Sequence, residues 1–131
     1  MSVGLYGANH HLDRVYGSGE PTYLYLAVMF SEPEYLDEGS DLDEPTGGSY
    51  ARVQIENDAA HWGHAADGLK TNAQDVLFPV ATAQWGTIRY WAICDAATDG
   101  EIISFGRTTP TLVLEGGALR FERDQLAITL R

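Results

Sequence analysis

His61 and His64 stand three residues apart with Asp67 three residues further on, and imidazole nitrogens beside a carboxylate suit zinc or nickel. A structural zinc site wants four convergent ligands, and this stretch also carries Trp62 and several alanines, so a packing or solvent-facing role is expected instead. His10 and His11 are neighbours in a helical pattern and diverge by about 100° around its axis, which prevents joint chelation. Asp41, Asp43 and Glu44 could offer oxygens to calcium, yet they lack the spacing of an EF-hand loop. Cys94 closes the apolar run Tyr90-Trp91-Ala92-Ile93-Cys94 and reads as a core thiol; as the single cysteine it cannot form an intrachain disulfide. No pair of carboxylates is marked out for glycoside hydrolysis, no serine sits in a nucleophile elbow, and Gly116-Gly117 reads as a hairpin turn rather than a phosphate loop. The residues therefore predict no catalytic site, no cofactor and no metal centre.

Charge is the stronger signal. The net charge of −11 opposes binding to a phosphate backbone, where affinity comes from cations that release counterions, so nucleic acid is not an expected partner. Glu32, Glu34, Asp37, Glu38, Asp41, Asp43 and Glu44 put seven carboxylates into thirteen residues without a lysine or arginine. Such a segment must be solvated, hold a cation or face a basic partner, which makes Glu38, Asp41, Asp43 and Glu44 candidate partner contacts. Trp62 and Trp91 join them as candidates, because aromatic rings on a surface serve subunit contacts or stack on glycans, with the core as the competing destination. Trp85, beside Gly86, is expected to pack over the end of the fold. Seven of the eight basic residues are arginine, which suits bidentate pairing at interfaces. No apolar run reaches the roughly 18 residues of a membrane span, and the first residues carry no basic and apolar pattern of an export signal, so no membrane partner and synthesis in the cytoplasm are expected.

The elements that would carry these residues can be read from period and punctuation. Leu5, Ala8, Leu12 and Val15 recur at helical spacing, and Asn9 as a cap with Gly17 as a stop predicts a short helix from Asn9 to Tyr16. Thr22 to Phe30 changes to a period of two with both faces largely apolar, which predicts a central strand. The acidic stretch carries Pro33, Gly39, Pro45, Gly47 and Gly48 and reads as an extended loop. Ser49 to Ile55 alternates as a half-exposed strand, with Ala51, Val53 and Ile55 against Tyr50, Arg52 and Gln54, and Asn57 to Asn72 reads as a second long loop with room for one helical turn. Short strands follow at Val76–Pro79, Gly86–Cys94, Glu101–Arg107, Thr111–Leu114, Leu119–Glu122 and Gln125–Leu130, with turns at Asp95–Gly100, Thr109-Pro110 and Gly116-Gly117. In the last of them Leu126, Ile128 and Leu130 are read as inward. About eight strands cannot bury their apolar faces in one sheet. The expected fold is mainly β: one domain over residues 1–131, an antiparallel β-sandwich of about eight strands with a short N-terminal helix.

Two blocks resemble a phage family described as tail-fibre-like or minor tail proteins. Asn9-His10-His11-Leu12-Asp13-Arg14-Val15-Tyr16-Gly17 leading into Pro21-Thr22-Tyr23-Leu24-Tyr25-Leu26-Ala27-Val28-Met29-Phe30 is similar to that family's opening helix and strand, followed by its Pro-containing loop at Ser31-Glu32-Pro33. Gly48-Ser49-Tyr50-Ala51-Arg52, Phe78-Pro79-Val80-Ala81-Thr82-Ala83-Gln84-Trp85-Gly86-Thr87-Ile88, Asp95-Ala96-Ala97-Thr98, Leu119-Arg120-Phe121 and Leu126-Ala127-Ile128-Thr129-Leu130 then follow in the family's order. The acidic loop and His61-Trp62-Gly63-His64 depart from its pattern. The resemblance implies structural roles for the matched residues and a non-enzymatic bacteriophage virion protein, assembled in the host bacterial cytoplasm.

Within the virion, a compact domain without a coiled coil or repetitive shaft points to a capsid decoration (cement) protein that stabilises the head. The alternative is a tail-fibre-like or minor tail protein acting as an adaptor or host-contacting component. The partners expected are other virion proteins, either the major capsid protein or tail and baseplate proteins, and further copies of the chain in a homo-oligomer such as a trimer.

Overall fold

A computed structural model describes residues 4–129. Helix α1 is Leu5–Val15. Eight strands follow: β1 (Tyr23–Met29), β2 (Val53–Glu56), β3 (Leu69–Thr71), β4 (Val76–Leu77), β5 (Gly86–Cys94), β6 (Ile102–Val113), β7 (Arg120–Phe121) and β8 (Ala127–Thr129). They form a four-stranded sheet in the order β2-β1-β5-β6 and two-stranded sheets β3-β8 and β4-β7. The chain is mainly β, with antiparallel pairing and a sandwich-like arrangement.

Its contacts gather into two compact units. One is built from the chain up to Leu24, Ile55–Val76 and the chain from Phe121; the other is Tyr25–Gln54 with Leu77–Arg120.

In the second unit, β1 and β5 pair with Tyr25 opposite Cys94 and Met29 opposite Tyr90. β1 is central, as its two apolar faces require: Leu26, Ala27, Val28 and Met29 are all fully buried. Ala27, Met29, Ala92 and Cys94 form one cluster on the shared face, flanked by Leu42, Tyr90 and Ile102. Burial of a whole aliphatic side chain contributes about 1.5–3 kcal/mol, so this strand pair is the main apolar anchor of its unit. On the opposite face Trp91 lies over Gly106, where an added Cβ would come within 2.6 Å of the indole ring.

β6 is one long strand where the sequence reads two. Thr109-Pro110 does not turn the chain; Ile88 pairs with Thr111 and Tyr90 with Arg107, so extra residues are absorbed as an irregularity between the two pairs. Proline is tolerated there because β6 is an edge strand, where a ladder can lack one donor. The predicted strand at Ser49–Ile55 contracts to Val53–Glu56, since Tyr50 and Arg52 turn their side chains inward to polar partners instead of alternating outward.

The first unit is organised by buried polar side chains. α1 begins at Leu5, four residues ahead of the expectation, because Asn9 does not cap it: its side-chain oxygen accepts the N–H of Gly68 at 2.9 Å. Ala8 and Leu12 are the buried helical positions. Asn57 donates its amide to the carbonyls of Val15 and Pro21 at 3.0 and 2.9 Å and accepts from the N–H of Gly17, tying the helix exit to the start of β1. Asn72 donates to the carbonyls of Gln74 and Glu122 at 2.8 and 3.0 Å and accepts from the N–H of Leu126 at 2.9 Å. The long loop expected from Asn57 to Asn72 therefore contains β3 and a bridge between Trp62 and Asn72. Lys70, the chain's only lysine and 3% exposed, donates to Asp13 at 2.6 Å, and Asp13 also accepts from the N–H of Ala65. In the last strand Leu126 is buried and Ile128 half-buried, while Leu130 lies outside the described residues.

Two outcomes follow. Asn57→Ala leaves two carbonyls and one N–H without their partner and is expected to cost about 2–4 kcal/mol in urea unfolding. Burial works to raise the Asp13 pKa, but its bonds to Lys70 and Ala65 outweigh that and hold the carboxyl below its ordinary value of 3.8. A depressed carboxylate contributes stability above the unfolded value and loses it as pH falls through the folded one. Asp13→Asn should therefore flatten the decline in stability below about pH 4, read by thermal unfolding across pH.

Candidate functional site

The acidic segment follows β1 in the second unit, and its first task is to fold itself. Asp37 accepts the N–H of Glu34 at 2.8 Å, and Asp41 accepts the N–H of Glu38 at 2.9 Å, reciprocated by the Glu38 side chain across a short 3₁₀ turn at Gly39–Asp41. Asp43 accepts the Ser31 hydroxyl at 2.9 Å, and its carbonyl accepts the N–H of Phe30 at 3.1 Å. Asp and Glu at such positions satisfy nearby backbone donors, so a stretch that repels itself electrostatically still holds a defined shape.

Arg52 ties this segment down. Its side chain is only 3% exposed and forks onto Glu44, with Nη2 at 2.6 Å and Nε at 3.1 Å from Oε1. Nη1 donates to the carbonyls of Ala96 and Asp99, both at 2.9 Å, and Nη2 to the carbonyl of Gly39 at 3.0 Å. One guanidinium thus joins the acidic loop to the turn between β5 and β6. Gly39 is required at that junction, because a Cβ there would meet the Asp99 carbonyl oxygen at 1.9 Å. Burial disfavours the charge on Arg52, but Glu44 outweighs it and raises the guanidinium pKa above its usual value. The Tyr50 hydroxyl donates to Glu44 Oε2 at 2.6 Å and accepts the N–H of Val28, and burial with the Glu44 carboxylate drives its pKa upward. The Tyr50 ring meets Trp85 edge-on at 5.2 Å and stacks on Phe78 at 6.1 Å. Beside this network lies an open cleft of about 300 Å³ lined by Ser40, Leu42, Tyr50, Arg52 and Thr98.

The six candidate contact residues consequently separate. Glu38, Asp41 and Asp43 sit on the exposed rim of the loop. Glu44 turns inward to Arg52 and Tyr50, because a buried guanidinium needs its counter-charge more than the surface needs another carboxylate. Trp62 and Trp91 are 1% and 2% exposed, which corrects their assignment to a contact surface. Trp62 packs against Tyr16 at 5.1 Å, and Trp91 fills the space over Gly106. Trp85 is buried as well, its indole N–H donating to the carbonyl of Gly48 at 2.9 Å. The exposed rings are instead Tyr6, Tyr23, Tyr35 and Phe105.

Among the described residues, the grouping with metal-ligand geometry is Glu56, Asp58 and His61, whose ligand atoms lie within 4.8 Å of one another. His64 and Asp67, the partners suggested for His61 by spacing, are not part of it. His61 Nδ1 is 2.6 Å from Asp58, and the His61 N–H donates to the same carboxylate oxygen at 3.1 Å, which closes a local turn and holds the Asp58 carboxyl below its usual range. The signal for it, Asp-x-x-His directly after a strand, is short and common in turns. Cys94 is fully buried, and burial pushes its thiol up to about 11, so it remains a neutral packing group at ordinary pH.

A family model described as Gp80, podophage GP4 fiber I protein gp80, matches residues 4–129. The match spans nearly the whole chain, and the chain belongs to this family of phage structural proteins. No curated protein matches the chain.

The Arg52 junction yields its own prediction. Arg52→Ala leaves the Glu44 carboxylate without its counter-charge and three carbonyls without their donor, and should cost about 3–5 kcal/mol in equilibrium unfolding. Arg52→Lys should recover only a minor part, because an ammonium cannot reproduce the planar fork.

Proposed function

We propose that this member of the podophage GP4 fiber I protein gp80 family is a non-enzymatic tail-fibre component, a short adaptor that joins other virion proteins rather than a cement on the capsid shell. The observation that carries the reading is the family match over residues 4–129, whose description names a fibre. The capsid decoration reading rested on compactness and the lack of a shaft, and an adaptor within a fibre assembly has both properties as well. The burial of Trp62, Trp85 and Trp91 argues against a tryptophan-lined glycan platform and favours a structural role. The chain acts as one sandwich domain, made in the host cytoplasm and incorporated into the particle there.

The docking element is the rim formed by Glu38, Asp41 and Asp43. Its loop is shaped before any partner arrives, by the reciprocal Glu38–Asp41 bonds and the Asp43–Ser31 bond, so little ordering entropy remains to be lost on binding. The partner it fits is a basic surface on a neighbouring tail protein, since complementary charge sets encounter rate and register.

Immunogold labelling of purified particles tests the location. Label on the tail, at a copy number far below that of the major capsid protein, is expected; label spread over the head in capsid-like numbers would overturn the proposal. The rim is tested with Glu38→Gln, Asp41→Asn and Asp43→Asn combined, which keep the hydrogen-bond acceptors and remove the charge. Incorporation of this variant into particles should fall, and the salt sensitivity of attachment should weaken with it. Unchanged incorporation at every salt concentration would remove the rim from the docking role.

A further inference from the structure

Between Arg52 and Lys70 the chain has no lysine or arginine, and within that stretch Glu56, Asp58 and His61 stand together. One candidate ligand atom from each lies within 4.8 Å of the other two. The Glu56 carboxyl also meets that of Asp58 by a side-chain hydrogen bond, so two acids and one imidazole converge on one place.

The backbone beneath them is held from several sides. The Asp58 carbonyl accepts the N–H groups of His61 and Trp62 at 3.2 and 3.0 Å, and the His61 carbonyl accepts that of Ala73 at 2.7 Å. Gln74 donates its amide to the carbonyl of Ala60 at 2.8 Å, and the buried Trp62 ring anchors the residue next to His61. Ligands on a backbone fixed in this way lose little freedom when they coordinate. A cleft of about 300 Å³ lined by Gly19, Thr22, Tyr23, Glu56, Asn57 and Asp58 adjoins the two carboxylates and leaves room for a further ligand such as water.

Donor chemistry selects the ion. Calcium wants about six to eight oxygens, and magnesium a near-ideal oxygen octahedron. Zinc accepts imidazole nitrogen together with carboxylate oxygen, and it keeps a water as fourth ligand where the protein supplies three. Zinc bonds of about 2.1 Å set tetrahedral ligand atoms about 3.4 Å apart. A spread of 4.8 Å closes to that through small rotations, chiefly of the exposed Glu56 side chain. His61 Nδ1 and Asp58 stand 2.6 Å apart, so an ion taken between them replaces a shared proton and leaves neither group unpaired.

We propose that Glu56, Asp58 and His61 form a structural zinc site, with water as the fourth ligand. The ion fastens the end of β2 to the turn at 58–61, on either side of Asn57, whose amide ties the helix exit to the start of β1. All three ligands belong to the first unit, so the clamp stabilises that unit wherever in the virion the protein sits. Of the trio His61, His64 and Asp67 suggested by spacing, only His61 takes part.

Isothermal titration of zinc chloride into the full chain, stripped with EDTA and dialysed, is the test. One saturable site per chain is expected, and thermal unfolding should move to higher temperature as zinc concentration rises. His61→Gln and Asp58→Asn each keep a hydrogen-bonding group at the turn and should weaken zinc binding tenfold or more, at least the loss that follows removal of a residue supporting a ligand. His10→Gln with His11→Gln, and separately His64→Gln, should leave the affinity unchanged. In the unaltered chain, zinc should shift the imidazole nitrogen resonances of His61 alone, a readout that needs no variant to fold. Calcium at equal concentration should displace none of the zinc. The proposal is overturned by a lack of saturable zinc binding, by affinity indifferent to His61→Gln, by loss of binding with His64→Gln, or by displacement with calcium.

Discussion

The fork between Arg52 and Glu44 is the interaction on which the shape of the acidic surface depends. Seven carboxylates in thirteen residues would by themselves favour an expanded, solvated chain. Arg52 reverses that tendency at one point by binding Glu44 and three backbone carbonyls, Gly39 from the acidic loop and Ala96 and Asp99 from the β5–β6 turn. The cost of burying a guanidinium is offset only because nearly every donor has an acceptor. The arrangement is intolerant: it needs arginine for the planar fork, glutamate for the counter-charge, and glycine at 39 for the close approach of two backbones. Such a junction adds less to net stability than to definition, fixing where the remaining acidic residues stand.

The two units solve the problem of irregular chain by different means. In the second, long strands bury apolar faces, and the loops hang from them through Arg52 and Tyr50. In the first, strands are short, and Asn57, Asn72 and the Lys70–Asp13 pair supply donors and acceptors that a ladder would otherwise provide. Buried amides of this sort make a fold specific, since each carbonyl they satisfy must be found at one place in the chain.

This difference explains what could be read in advance. β5 was legible residue for residue, because Gly86 opens it, alternation continues through it, and a polar turn follows Cys94. The central position of β1 followed from its two apolar faces. Asn57 and Asn72 were illegible, because a polar residue in a glycine- and alanine-rich stretch carries no periodic signal and its partners lie up to about fifty positions away. Arg52 and Glu44 were misplaced for a related reason: alternation rules assign charges to solvent, and only the third dimension shows two opposite charges meeting out of it. Pro110 was read as a turn because proline punctuates most strands, yet an edge strand can hold it. The tryptophans Trp62 and Trp91 looked equally fit for surface and core, and the choice was made by space: Gly106 leaves room for the Trp91 ring, and Tyr16 stands against Trp62.

Lys70 has a practical corollary. It is the only lysine of the chain, and its ammonium is buried against Asp13. The side chains that meet solvent therefore include arginine guanidinium groups but no lysine amine. Amine-directed cross-linkers, which hold assemblies together by bridging lysines, find no accessible lysine side chain here while the fold is intact. In a particle treated in that way, no lysine bridge would run to this chain from its neighbours.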